Sequence, residues 1–340
     1  MSDAVRPQPS TERGGDRSPP TWRRELADGI RDVATLRRLL ELPPEIDQPA
    51  DQGFPLLVPH AFVARMRRGD PRDPLLLQVL PSAAEGVEVP GFTADPVAES
   101  AALTAPGLVQ KYAGRALMLV TGACAIHCRY CFRREFPYAD AGATRGGVEA
   151  ALDAIAADES IAEVILSGGD PLLADDGRLA EIIGRLEATR HVRRLRIHTR
   201  LPVVLPARIT DGLVGLLGHT RLTVVVVIHA NHAAELDAEV AAGLRRLAGA
   251  RCLLLNQAVL LAGVNDTTTA LRALSERLLD IGVVPYYLHQ LDRVRGAAHF
   301  EVPETQALEL HRRLRDSLPG YAVPRLVREV PGEPAKTWLA

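Results

Sequence analysis

From residue 115 onward the chain alternates between two patterns, and that alternation limits its fold more than any other feature. Apolar, β-rich runs lie at 116–121, 162–167, 195–199, 222–229, 252–259 and 283–288. Helix-like segments lie between and after them, at 147–157, 177–188, 208–217, 233–248, 268–281 and 304–318. Leu271, Leu274 and Leu278 recur at helical spacing, as do Ala307, Leu310, Leu314 and Leu318. Strands alternating with helices of this length make βα units and a parallel sheet. Right-handed crossovers curl six such units into an open or partial barrel. The expectation is an α/β fold whose functional groups gather at the C-terminal ends of the strands.

The chain before residue 115 reads differently. Segments 31–42 and 59–68 look helical and are separated by proline-rich linkers, so 21–106 is expected to be a helical extension packed on a barrel spanning 107–320. Residues 1–20 are rich in Pro, Gly, Ser and Arg and lack an apolar stretch, which predicts a disordered tail and argues against a secretory leader. Residues 321–340 form a C-terminal segment of their own. At 340 residues and 47 % hydrophobic content the chain can bury a sizeable core. A net charge of −2 with mixed signs does not suit a bulk nucleic-acid or membrane-surface binder. No apolar run reaches the length of a membrane span. A cytoplasmic location is expected.

Four cysteines occur, three of them in TGACAIHCRYCF directly after the first strand: Cys124, Cys128 and Cys131. Clustered thiols in a reducing compartment point to metal rather than to disulfides. Three thiolates on one loop can ligate three irons of a cubane and leave the fourth iron open for an outside ligand. The alternative is a structural zinc site completed by Cys252, but zinc sites favour paired C-x2-C units or nearby histidines. Cys252 instead opens an apolar strand, where packing is its natural role. The second strand ends in SGGDPL: Ser167, Gly168, Gly169 and Asp170. Glycines there let backbone approach a ligand closely, although Gly-Gly-Asp is also an ordinary turn.

The cysteine loop, with Tyr130 and Phe132 flanking its last thiol, resembles the radical S-adenosylmethionine superfamily. Longer strings narrow the likeness: DPLLLQVLP (73–81), GLVQKYAGRALMLVTGACAIHCRYCFRR (107–134), SGGDPLL (167–173), IHTRLPVVLP (197–206), NQAVLLAGVND (256–266), LDRVRGAAHF (291–300) and PGEPAKT (331–337). Together they resemble the lysine 2,3-aminomutase family, most of all its short branch, the elongation factor P β-lysylation proteins of the EpmB type. The resemblance implies a partial (β/α)6 radical S-adenosylmethionine barrel and three cofactors: a [4Fe–4S] cluster, S-adenosylmethionine and pyridoxal 5′-phosphate (PLP). It implies a 5′-deoxyadenosyl radical that takes a hydrogen from the β-carbon of lysine, after which nitrogen migrates from the α- to the β-carbon.

The same resemblance assigns residues. Lys336, in the PGEPAKT turn, matches the Schiff-base lysine. Of 40 lysines and arginines only Lys111 and Lys336 are lysines, so a lysine here is most expected where a guanidinium cannot serve. Lys111, Arg115, Arg129 and Gln257 match positions that hold the PLP phosphate. Ser167, Gly168, Gly169, Asp170, Arg200 and His229 are candidates for the S-adenosylmethionine site. Arg133 matches the arginine for the substrate α-carboxylate. Asp292 and Glu329 match the two acids for its distal ammonium, with glutamate standing where the long enzymes carry aspartate. His127 and Tyr130 are read as packing over the cluster. An aminomutase for glutamate would need a cation where Asp292 and Glu329 stand, and a non-catalytic iron–sulfur or zinc protein would bind neither PLP nor S-adenosylmethionine. The expected partners are free L-lysine, an electron donor such as flavodoxin or ferredoxin, and a separate ligase acting on elongation factor P, with no nucleic acid and no membrane.

Overall fold

The computed structural model describes residues 21–43 and 53–340. The tail expected over 1–20 lies outside the described residues. Four short helices come first: α1 (Thr21–Ala27), α2 (Val33–Leu39), α3 (His60–Val63) and α4 (Pro74–Leu77). Three strands follow: β1 (Leu103–Ala105), β2 (Leu108–Tyr112) and β3 (Arg115–Thr121). The chain then runs α5 (Arg145–Ala157), β4 (Glu163–Gly168), α6 (Asp176–Ala188), β5 (Arg194–Thr199), α7 (Leu201–Val204), α8 (Asp211–Gly218), β6 (Thr223–Ile228), α9 (Ala238–Gly249), β7 (Leu253–Val259), α10 (Thr268–Asp280), β8 (Val284–His289) and α11 (Glu304–Ser317). It closes with β9 (Arg325–Arg328) and β10 (Thr337–Trp338).

All ten strands form one sheet in sequence order. Strands β3 to β9 run parallel, each beside the next, so six βα units are followed by a seventh parallel strand. Strands β1 and β2 extend one edge, and β10 the other, in antiparallel fashion. The partial barrel expected from the alternation is therefore present, with wider flanks. Its sheet runs from Leu103 to Trp338 and crosses the boundaries expected at 106/107 and 320/321.

Local chemistry explains the helices. Thr144, Asp175, Thr210, Asp237 and Thr267 each accept a backbone N–H at the start of α5, α6, α8, α9 and α10, which satisfies a donor that the helix leaves open. The helix expected over 233–248 starts late. His232 and Glu235 form a capping box around a single turn, and Asp237 then caps a new helix.

Period-two alternation sorts the strand residues into two faces. Ala116, Met118, Leu195, Ile197, Val224, Val226, Leu254 and Leu288 join helix residues such as Leu179, Ile182, Leu244 and Leu274 in the main core. Arg115, Ser167, Arg196, His198 and Gln257 stand on the other face and line the lumen. The N-terminal helices belong to the same core through Leu36, Phe62, Leu75 and Leu76. No helix among the described residues is long and apolar enough to cross a membrane.

Candidate active site

The cysteine loop leaves the C-terminal end of β3 and is gripped from outside by the N-terminal extension. His127 N–H donates to the Leu57 carbonyl and Arg129 N–H to the Gln78 carbonyl, each at 2.9 Å. His127 stacks on Phe54. Arg129, almost wholly buried, forks onto Glu85, with Nε at 2.7 Å, and also donates to the Phe54 carbonyl. Its guanidinium thus holds the back of the loop, and the structure does not bring it to Lys111, Arg115 or Lys336. Tyr130 does more than pack. Its hydroxyl lies 2.8 Å from His229 Nε2 and 3.2 Å from Gln78 Oε1, and it accepts from Asn231 at 2.7 Å.

Burial raises the Cys124 thiol, and the neighbouring Cys131, Asp170 and Cys128 add to it. Cys131 is pushed up to about 11, mainly by burial and then by Cys128. Cys124 and Cys131, whose ionisation is disfavoured in this loop, need positive charge beside them. Arg200 supplies it, with one terminal nitrogen 2.7 Å from Cys128 Sγ. Cys252 cannot complete a zinc site with them. It sits at the N-terminal end of β7, in the main core, while the loop leaves the C-terminal end of β3.

The SGGD turn supports this loop directly. A Cβ on Gly168, whose φ is +119°, would stand 2.3 Å from the Thr121 carbonyl oxygen, and one on Gly169 would stand 2.1 Å from that of Ala123. The close approach is to the protein's own cysteine loop: Gly169 N–H donates to Thr121 and Asp170 N–H to Ala123. Asp170 is pushed up to about 6 by burial, against donation from Thr199, Arg200 and Leu172. Its carboxylate accepts from the Thr199 hydroxyl and the Arg200 N–H at 2.7 Å, so it ties the end of β4 to the end of β5. Arg200 donates further to Gln78 and Glu235, and only its Nε is buried without a partner. Arg133 is also engaged. It forks onto Glu99 at 2.6 and 2.7 Å and donates to Ser167 Oγ and the Gly168 carbonyl. Of the five N–H groups on a guanidinium one remains.

A second cluster gathers where the two ends of the open sheet meet. Lys111 and Tyr112 come from the end of β2, and Glu329 and Lys336 from the turn between β9 and β10. Lys336 Nζ lies 2.5 Å from Glu329 Oε2. The Tyr112 hydroxyl donates to Glu329 Oε1 at 2.6 Å, with Lys111 Nζ 3.4 Å away. Lys111 also donates to the Val97 carbonyl at 2.7 Å. Arg115 lies over the Tyr112 ring, and its Nε is buried without a partner. Asp292 faces the same cluster. Burial pushes it up to about 7, with Lys336 pulling down and Glu329 pushing up. Asp292 makes no side-chain hydrogen bond or ion pair among the described residues.

Residues 112–199 match the family model described as a 4Fe-4S single cluster domain. L-lysine 2,3-aminomutase of Escherichia coli is 47 % identical over 94 % of this chain and 94 % of its own length. The chain belongs to the lysine 2,3-aminomutase family. The Haemophilus influenzae enzyme of that name is 46 % identical over 94 % of this chain and 95 % of its own, and the Clostridium subterminale one 35 % over 93 % and 77 %. A solved radical SAM methyltransferase from Sphaerobacter thermophilus overlaps 55 % of this chain and 57 % of its own at 18 % identity and a TM-score of 0.39. That overlap is too loose to bear on the architecture, which rests on the strand order above.

The donors of this aminomutase fit the family's cofactors. Three thiols share one loop with an arginine against one of them. Arg200 Nε and Arg115 Nε are buried donors with no partner, suited to a carboxylate and a phosphate respectively. Several lumen residues escaped the sequence reading. Glu99 lies in a loop with no pattern to mark it. Tyr286 and Tyr287 are adjacent, so alternation alone would place them on opposite faces. The register slips between Asn256 and Gln257, pairing Gln257 with Tyr287, and the two hydroxyls meet at 2.9 Å. A bulge of this kind turns both rings to one side, and the doubled aromatic in a strand was its visible sign.

Proposed function

We propose that this aminomutase converts L-lysine to β-lysine by moving the amino group from the α- to the β-carbon. The unpartnered carboxylate of Asp292 carries this reading. It faces the lumen beside Lys336, and a half-buried acid with no partner of its own calls for a cation. The distal ammonium of lysine supplies one, whereas the distal carboxylate of glutamate would repel it.

When bound, the [4Fe–4S] cluster and S-adenosylmethionine supply a carbon radical able to take a hydrogen, and PLP supplies an aldehyde that ties the migrating nitrogen to a conjugated ring. Cys124, Cys128 and Cys131 hold the cluster, with Arg200 compensating their charge. The S-adenosylmethionine site is framed by Ser167, Gly168, Gly169, Asp170 and His229, with Arg200 Nε for the carboxylate. His229 is held down at about 3, chiefly by burial and then by Arg200, so it works as a neutral imidazole. Lys336 provides the amine for PLP. Lys111, Arg115 and Gln257 surround the phosphate, and Arg129 acts instead on the cysteine loop. Arg133 receives the α-carboxylate through its remaining N–H, while Glu99 fixes its orientation. Closure of the lumen around these groups positions the reacting atoms and excludes water.

The reduced cluster needs an outside electron donor, such as flavodoxin or ferredoxin. The product would pass to a separate ligase that modifies elongation factor P. Free thiols in an iron-binding loop suit the cytoplasm. Competition among lysine, ornithine and glutamate, with PLP, S-adenosylmethionine and dithionite under anaerobic conditions, tests the substrate. Lysine should be turned over preferentially; preference for glutamate would refute the reading.

A further inference from the structure

Asp292 and Glu329 look alike in the sequence, as two acids for one ammonium. The structure separates them. In the β9–β10 hairpin Arg328 pairs with Thr337 and Val327 with Trp338. This register sets Glu329 directly across from Lys336, and facing residues of an antiparallel pair project from the same side. Glu329 therefore meets Lys336 as a consequence of the hairpin, at 2.5 Å. Its other oxygen accepts from Tyr112 at 2.6 Å, with Lys111 beside it. Tyr112 closes the β2–β3 hairpin, where it pairs with Arg115. Strands β2 and β9 lie seven places apart in the strand order. The open sheet is thus bridged at this point by side chains, and Glu329 is the bridge. Burial opposes its charge, but Lys336 and then Tyr112 and Lys111 hold its carboxyl below the usual range.

We infer that Glu329, oriented by Tyr112, is the counter-ion of the Lys336 amine, and that Asp292 alone receives the distal ammonium of the substrate. Both oxygens of Glu329 are already engaged with the chain's own donors, whereas those of Asp292 are free. With PLP bound, Glu329 would hold the Lys336 amine as a cation across the hairpin whenever a substrate amine took its place. Glu329 thus keeps the displaced amine close and discourages its return attack. Tyr112 is a positioning residue that acts through Glu329. The inference rests on the assignment of Lys336 above.

Wild-type protein loaded with PLP is first reduced with borohydride and the labelled peptide mapped. Label on Lys111 would overturn the Schiff-base assignment, and this inference with it, before any variant is made. With Lys336 labelled, Glu329→Gln, Tyr112→Phe and Asp292→Asn are compared by the pH midpoint of the PLP–lysine absorbance and by KM for lysine. Loss of a neighbouring carboxylate favours the unprotonated adduct, so Glu329→Gln should move the midpoint to lower pH by about one unit or more. KM should stay within about threefold of wild type. Tyr112→Phe should shift the midpoint the same way by less. Asp292→Asn should raise KM about tenfold or more, with a smaller midpoint shift. An unmoved midpoint in Glu329→Gln, or a KM rise matching that of Asp292→Asn, overturns the inference. Should Glu329→Gln fail to fold, Tyr112→Phe keeps every charge and its midpoint decides: a shift to lower pH supports the inference and an unmoved one overturns it.

Discussion

At the scale of single residues, an acid's partners say more than its type. Asp292 is pushed up to about 7, first by burial, with Glu329 adding to the effect and Lys336 opposing it. An ammonium binds the ionised form, so lysine affinity should rise with pH through this value. From about pH 6 to about pH 8 KM for lysine should fall, and Asp292→Asn should flatten that dependence while weakening binding. Stability runs the other way. Between the ordinary aspartate range and about 7 the folded empty chain keeps a proton that the unfolded chain has lost, so this group's contribution falls as pH rises. The urea midpoint of Asp292→Asn relative to wild type should therefore improve across that window, and a constant difference would contradict the account. The Arg133–Glu99 pair offers a second case. Both side chains are under a tenth exposed, and Glu99→Ala would leave a buried guanidinium charge unpaired. A loss of about 3–5 kcal/mol in unfolding free energy is expected from denaturant titration.

At the scale of elements, the six central strands and the helices between them were legible because each carries its own apolar period. The helix expected over 268–281 is observed at Thr268–Asp280, and the strand expected over 195–199 at Arg194–Thr199. The edge strands were not legible. β1, β9 and β10 have two to four residues each, too few for a period, and β2 alternates weakly around Gln110 and Lys111. Their existence depends on neighbours in the sheet, and so does the meeting of Glu329 with Lys336. The glycine turn was legible as a motif, yet the contact it permits was visible only in three dimensions. Gly169→Ala would drive a methyl group into the Ala123 carbonyl, 2.1 Å away, and push the cysteine loop from β4. Iron content after anaerobic reconstitution should fall well below that of wild type while the circular dichroism spectrum is kept. Full iron loading would show that the loop tolerates the displacement.

At the scale of the whole molecule, the barrel places two separate chemistries in one lumen. The cysteine loop is fixed at the strand ends by the β4 turn within and by the N-terminal helices without, through contacts such as Arg129 with Glu85. Lys336, the proposed PLP lysine, arrives from the opposite edge of the sheet, on a hairpin tied to β2 by Tyr112 and Lys111. The proposed reaction needs both on the same substrate. The most direct measurement is mass-spectrometric detection of β-lysine from L-lysine in wild type, Cys128→Ala and Lys336→Ala, each assayed anaerobically with its iron and PLP content determined. Wild type should form β-lysine and both variants none, with Lys336→Ala retaining iron and Cys128→Ala retaining the PLP adduct. Formation of β-lysine by either variant would contradict it.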